Sequence, residues 1–143
     1  MYWVVEQGRV EPAKFFRQLA THFPQTSTLF FEGTSIEPAA EAIFTAHAEA
    51  GPHLPGRQTI SPVSTIFRCK ATGELFAQLE ELSTRHAIPE IADHVYAYSG
   101  EVEIVGFPDF CANEIYISSS TPERTVKLFA SALGLKYWKR RDG

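Results

Sequence analysis

The sequence predicts a single α+β domain, residues 1–143, in which a mixed β-sheet is covered by about four helices. The chain has 143 residues, of which 44% are hydrophobic and 21% charged, as is typical of one globular domain. Four segments have apolar residues at helical spacing, and seven short β-rich runs lie between them in the order βαβαβαβββαβ. An α/β fold is the alternative, because strands and helices alternate in the first half of the chain.

Residues suited to helix ends flank the four helical segments. Pro12 fits a first helical turn, because the N–H groups there have no hydrogen-bond acceptor within the helix and the N–H that proline lacks is not needed. Ser35 and Thr72 are candidate N-caps of the second and third helices, and Gly134 is suited to end the fourth. The predicted helices cover residues 12–22, 37–48, 73–86 and 122–133.

The predicted strands are short, and two of them form a hairpin whose register follows from its turn. The strands cover residues 2–6, 28–32, 65–70, 94–98, 102–105, 115–118 and 135–139. A two-residue turn at Ser99 and Gly100 pairs Ala97 with Val102 and leaves one face of the hairpin apolar. The opposite face then collects polar and aromatic residues, namely His94, Tyr96, Tyr98, Glu101 and Glu103.

Charge and composition narrow the classes of partner. The net charge of −4 disfavours general nucleic-acid binding, although residues 132–143 carry +3 and leave −7 on residues 1–131. No apolar run is long enough for a membrane span, and no signal segment is evident, so a cytoplasmic protein is expected. Two cysteines, Cys69 and Cys111, are too few for a disulfide framework. Their redox state and the oligomeric state are left open.

No motif for catalysis, metal binding or cofactor binding is present in the sequence. It has no nucleophile elbow, no zinc-binding spacing and no glycine-rich phosphate loop. His22, His47 and His86 each fall in the last turn of a predicted helix, where an imidazole interacts favourably with unpaired carbonyls. We therefore predict no catalytic residues, no metal ligands and no cofactor.

Two regions are candidate contact surfaces, the loop of residues 50–62 and the hairpin of residues 94–105. The candidate residues are His53, Arg57, Gln58, His94, Tyr96, Tyr98 and Glu103. Tyr and Arg are enriched at binding hot spots, so the leading hypothesis is a protein-interaction module with a protein partner, such as an immunity or antitoxin-like inhibitor. The alternative is a small ligand-binding domain or enzyme whose cleft lies between the loop and the hairpin. Convergence of His53, Arg57, His94 and Glu103 in one closed pocket would favour the alternative.

A possible anion site precedes the fourth helix. Ser119, Ser120 and Thr121 lead into this helix, and Arg124 follows one turn later. Hydroxyls and free N–H groups at such a position bind phosphate or carboxylate. Ordinary N-capping explains the same residues without a ligand.

Overall fold

The computed structural model describes residues 1–52 and 65–141. The strands in these ranges are Tyr2–Val5 (β1), Thr28–Gly33 (β2), Thr65–Lys70 (β3), His94–Ser99 (β4), Val102–Phe107 (β5), Ile115–Ser118 (β6) and Tyr137–Arg140 (β7). The helices are Pro12–His22 (α1), Pro38–Ala46 (α2), Gly73–Ser83 (α3), Ile88–Ile91 (α4) and Glu123–Ala132 (α5). The order of elements agrees with the prediction except for the short α4.

All seven strands form one sheet in the order β3-β2-β4-β5-β6-β1-β7. Every neighbouring pair is antiparallel, so the α+β class is confirmed and the prediction of a mixed sheet is wrong. Strands β1 and β2, joined through α1, are separated in the sheet by three other strands. Strands β2 and β3 are neighbours, but the chain that includes α2 brings β3 back antiparallel. An intervening helix therefore does not by itself imply parallel pairing.

The helices pack against one face of the sheet, which we call the inward face. All five contribute buried residues to a single core cluster with inward-face residues of the strands. Phe31 of β2 stacks on Phe44 of α2 at a ring-centroid distance of 4.1 Å, and Phe15 of α1 lies 5.0 Å from Phe107 of β5. Because side chains alternate along a strand, the remaining strand residues form the opposite, outward face.

The hairpin of β4 and β5 has a different register from the predicted one. Ser99 pairs with Val102, which places Gly100 and Glu101 in the turn, and Gly100 has a φ of +61°. The register shifts between Ala97 and Tyr98, as in a β-bulge. Glycine supplies the positive φ that a two-residue hairpin turn requires at its first central position. Val102, predicted on the apolar face, is consequently 56% exposed.

The predicted helix ends are partly correct. Thr72 caps α3, because its Oγ1 accepts a hydrogen bond of 3.1 Å from the N–H of Leu75. The prediction for Ser35 is wrong, since the N-cap of α2 is Glu37 and no side chain caps this helix. Gly134 follows α5 with a φ of +73°, which confirms its role at the helix end.

Replacing Gly134 with alanine is expected to lower the free energy of unfolding by about 1 kcal/mol, because a Cβ is disfavoured at positive φ. Gly73 is a matched control, since a Cβ there also meets no atom within 4 Å and no positive φ is involved. Gly73→Ala at the start of α3 should be neutral or stabilising. Urea unfolding of both variants measures the difference, and equal effects would contradict the role assigned to the backbone of Gly134.

Candidate contact surface

The outward face of the sheet carries a second, smaller cluster of buried aromatic side chains. Phe30, Tyr96 and Tyr98 pack together with Ile66, and the rings of Phe30 and Tyr98 meet edge to face at 5.0 Å. None of the helices in the described ranges contributes a residue to this cluster. The guanidinium of Arg68 lies 5.5 Å from the centre of the Phe30 ring, within cation–π range.

A network around Arg68 joins the outward face to the chain that follows α2. Glu49 Oε2 accepts hydrogen bonds from Arg68 Nε at 3.1 Å and from Thr28 Oγ1 at 2.9 Å. Arg68 Nη1 also donates to the carbonyl of Pro52 at 2.8 Å. The predicted loop of residues 50–62 therefore begins beside β3, next to this face. His53, Arg57 and Gln58 lie outside the described residues.

An open cleft of about 400 Å³ lies on the outward face where β5, β6 and β1 are neighbours. Its lining residues are Met1, Tyr2, Glu103, Tyr116, Ile117, Ser118 and Ser119. We call it the tyrosine cleft, because the rings of Tyr2 and Tyr116 meet edge to face at 5.8 Å. Its size is within the range of ligand pockets, and its openness also suits the side chain of a protein partner.

Charge-assisted hydrogen bonds to the carboxylate of Glu114 hold Tyr116 in position. Its hydroxyl donates to Glu114 Oε1 at 3.1 Å, and Arg140 donates to both oxygens of Glu114 at 3.1 and 3.0 Å. The hydrogen bond from Arg140 lowers the pKa of Glu114, whereas burial and then Glu114 raise the pKa of Tyr116. The bidentate pair orients all three side chains, so Tyr116 is presented at the cleft in a defined conformation.

The structure places the predicted hairpin residues on one face but gives them different roles. His94, Tyr96, Tyr98 and Glu103 all belong to the outward face, and Glu103 lines the tyrosine cleft. Tyr96 and Tyr98 are only 5% and 4% exposed. Most of the surface that this face offers to a partner must therefore come from other residues. The contact role of the predicted residues stays a prediction.

His94 has a structural partner at the end of the sheet. Its Nδ1 accepts a hydrogen bond of 2.9 Å from the N–H of Asp109, so the neutral ring carries its proton on Nε2. The imidazole also stacks on Tyr96 at 6.3 Å. Asp109 has a φ of +45°, an uncommon conformation for a residue other than glycine. The contact with His94 thus helps to hold a turn with an unusual backbone.

A second open cleft of about 430 Å³ lies beside this turn. It is lined by Ile88, Pro89, Ala92, Asp93, His94, Asp109, Phe110 and Ala112. The carboxylate of Asp93 accepts hydrogen bonds from the N–H and the hydroxyl of Thr34 at 3.0 and 3.1 Å. His94 therefore lines this cleft, while Glu103 lines the tyrosine cleft. The alternative hypothesis, which places both residues in one closed pocket with His53 and Arg57, stays a prediction, because His53 and Arg57 lie outside the described ranges.

Both cysteines are buried, and burial is the main factor that raises the pKa of each thiol to about 12. The Sγ of Cys69 also donates to the carbonyl of Phe44 at 3.4 Å. Cys111 belongs to the same core cluster as its neighbour Phe110. Thiols that remain protonated at neutral pH are poor nucleophiles.

The serine-rich segment before α5 forms a turn in which the serines hydrogen-bond to one another. The hydroxyls of Ser118 and Ser120 are 2.8 Å apart, and the N–H of Ser120 donates to the Ser118 hydroxyl at 3.3 Å. Thr121 is buried, and its carbonyl accepts a hydrogen bond of 3.1 Å from the indole of Trp3. The N-cap of α5 is Pro122, so the predicted capping by these side chains is wrong. Their anion-binding role stays a prediction.

Ser119 and Arg124 lie apart from these hydrogen bonds. Ser119 is exposed at the rim of the tyrosine cleft, and Arg124 is exposed in the first turn of α5.

Sequence reasoning did not select three aromatic residues that reach the outward surface. Tyr2 and Tyr116 line the cleft, and Trp138 is 38% exposed with the guanidinium of Arg140 at 5.8 Å from its ring. The signal available in the sequence was strand alternation. Tyr2 and Tyr116 each precede a buried residue, Trp3 and Ile117, and therefore point to the opposite face of the sheet. Only the order of the strands shows that these residues are neighbours.

Comparison with family models, with curated protein sequences and with solved structures found no match. Within residues 1–52 and 65–141, no group of three or more His, Cys, Asp or Glu side chains is arranged to hold a metal ion. None of the helices in those ranges has both the length and the apolar character to cross a membrane.

Proposed function

We propose that this chain is a protein-interaction module that binds its partner through the outward face, centred on the tyrosine cleft. One observation carries the proposal: the helices cover one face of the seven-stranded sheet, while the other presents Tyr2 and Tyr116 at an open cleft and Trp138, partly exposed, on the strand next to β1. Tyr and Trp provide large contact areas at low entropic cost, and they are enriched at binding hot spots. Tyr116 is already held in place by Glu114 and Arg140, which reduces the entropy lost on binding.

The net charge favours a basic partner. Residues 1–131 carry a charge of −7, and complementary charge accelerates association and excludes like-charged competitors. Proteins that act on nucleic acids expose basic surfaces for the phosphates. A small acidic domain that blocks such a surface, as an immunity or antitoxin-like inhibitor in the cytoplasm does, fits both the charge and the open tyrosine cleft.

The competing function is binding or conversion of a small molecule. The cleft of about 430 Å³ beside His94 favours it, because Asp109 at its wall has a positive φ and unusual backbone conformations cluster at functional sites. A small molecule that binds only the folded protein must raise its unfolding temperature. Screening metabolites by thermal shift, with His94→Ala as the comparison, tests this function separately.

The interaction hypothesis is tested by blocking the tyrosine cleft without altering the core. Ser119→Arg places a bulky cation at the rim, and Ser35→Arg makes the same chemical change at an exposed serine before α2. Proteins captured from a lysate of the source organism by the wild-type chain are purified, and Kd is measured for each variant. We expect Ser119→Arg to raise Kd at least tenfold and Ser35→Arg to leave it within twofold.

Two outcomes contradict the proposal. Equal Kd values for Ser119→Arg and Ser35→Arg would show that the tyrosine cleft is not the contact surface. Failure of the purified candidates to bind the wild-type chain, together with a metabolite that raises its unfolding temperature but not that of His94→Ala, would favour the small-molecule function. Circular dichroism confirms that the variants are folded before Kd is compared.

A further inference from the structure

Among the described residues, strand β7 is the last strand of the sheet, and backbone groups on its outer side have no hydrogen-bond partner there. The carbonyl of Lys136 accepts a hydrogen bond of 2.9 Å from the N–H of Glu6, so the backbone groups of Lys136 point toward β1. Successive residues of a strand point their backbone groups to alternate sides. The N–H and C=O of Tyr137 and Lys139 therefore point away from β1. In the described ranges, no strand or loop bonds to them.

An open cleft of about 460 Å³ lies beside this edge. It is lined by Lys127, Ser131, Gly134, Leu135, Lys136 and Tyr137, so it lies between α5 and the start of β7 on the inward side of the sheet. A strand added to β7 would direct alternate side chains toward this cleft. Main-chain bonds at an edge combined with a groove for alternate side chains are the elements of peptide binding by strand addition.

The edge is held rigidly before any partner binds. The hydroxyl of Tyr137 donates to Glu123 of α5 at 3.0 Å, and its ring meets Trp3 at 6.0 Å. The N–H of Lys136 also donates to the carboxylate of Glu6 at 2.8 Å. Little conformational entropy remains to be lost from this edge on binding, which favours its use as a template.

The cations beside the edge outnumber the carboxylates of Glu6 and Glu123 and favour an acidic occupant. Lys127 and Lys136 line the cleft, and neither takes part in an ion pair within the described residues. Lys139 and Arg141 add positive charge along the same end of the chain. A second copy of β7 would bring like charges together across the new pair, which is destabilising. Short charged edge strands also protect against aggregation, but protection alone does not require a groove beside the edge.

We propose that the edge of β7 and the adjoining cleft bind an acidic, extended segment of a partner protein as an added strand. Tyr137 and Lys139 supply the main-chain hydrogen bonds, and Lys127 contacts the carboxylates of the segment. This surface is separate from the tyrosine cleft, so the inference goes beyond the proposed function and does not depend on it.

The experiment uses arrays of short peptides with glutamate at alternate positions and varied uncharged residues between them, and a second array with lysine in place of glutamate. We expect the full chain to bind the strongest glutamate peptide at least tenfold more tightly than any lysine peptide. Lys127→Glu should weaken this binding at least fivefold. Added salt should also weaken it, because the contacts are exposed.

The main-chain contacts are tested by Lys139→Pro with Lys139→Ala as its matched control. Both variants lose the charge and the contact of Lys139 with Trp3, but only proline also removes the outward N–H. We expect Lys139→Pro to raise Kd at least tenfold over Lys139→Ala. If Lys139→Pro does not fold, the strongest peptide is N-methylated at alternate amides. Methylation of the amides that face β7 should then abolish binding, whereas methylation of the amides that face away from β7 should not.

Three results would overturn the inference. The first is equal binding of the glutamate and lysine arrays, and the second is equal Kd for Lys139→Pro and Lys139→Ala. The third is a dimer of the chain that Lys139→Pro dissociates, because the occupant would then be a second copy. None of these results depends on Ser119, so failure here is distinguishable from failure of the proposed function.

Discussion

Replacing Phe31 with alanine is expected to lower the free energy of unfolding by about 3–5 kcal/mol. Phe31 is fully buried in β2, stacks on Phe44 of α2 at 4.1 Å and lies 6.3 Å from the ring of Phe16 of α1. Its removal therefore leaves a cavity where two helices meet the sheet, and close-packed surroundings relax only partly around such a cavity. Because a domain is stabilised by only about 5–15 kcal/mol, the loss is a large share of the total.

Urea unfolding followed by circular dichroism measures this effect. Val102→Ala is the control, because Val102 lies in a strand but is 56% exposed, and we expect a change within about 0.5 kcal/mol. Phe31→Leu should cost less than Phe31→Ala, since more of the volume is retained. A loss below about 1 kcal/mol for Phe31→Ala would contradict the packing described between β2, α1 and α2.

The second large effect concerns the reactivity of the thiols. Burial raises the pKa of Cys69 and Cys111 from 9.0 to about 12, which lowers the thiolate fraction at neutral pH about a thousandfold. The thiolate is the species that attacks a disulfide reagent. In the folded protein both cysteines should therefore react with such a reagent on the order of 10³-fold more slowly than in the protein unfolded by urea.

The dependence on pH has a definite sign. Because the folded-state pKa lies above the usual value, the rate in the folded state should keep rising between pH 10 and about 12, where an ordinary thiol has already levelled off. Cys69→Ala and Cys111→Ala report on the remaining thiol in each case. A native rate within tenfold of the unfolded rate at pH 7.5 would show that the measured thiol is not buried as described.

The local sequence predicted the elements better than their arrangement. Seven strands and four longer helices were predicted in the observed order, because apolar spacing reports which side of an element is buried. The Thr72 cap and the Gly134 terminus were predictable because each depends only on adjacent backbone groups. The hairpin register was not predictable, because the bulge beside Ala97 and Tyr98 adds a residue to one strand and shifts the pairing.

The candidate site was predicted only in part. Alternation placed His94, Tyr96, Tyr98 and Glu103 on one face, and the strand pairing confirms this. It could not show that Tyr96 and Tyr98 are buried there, because burial on a sheet face depends on neighbouring strands that are distant in sequence. The tyrosine cleft was missed for the same reason. Tyr2 and Tyr116 are 114 positions apart and become neighbours only through the pairing of β1 with β6.

The sequence by itself determined that this chain forms an α+β domain with acidic charge over most of its length and basic charge at its end. Within residues 1–52 and 65–141, the tertiary structure alone decided that every strand pair is antiparallel, that the helices lie on one side, and that β7 is at an edge. Local propensities act over a few residues, whereas strand order is set by contacts between residues far apart in the chain. The surfaces proposed for binding depend on strand order, so only the tertiary structure shows them.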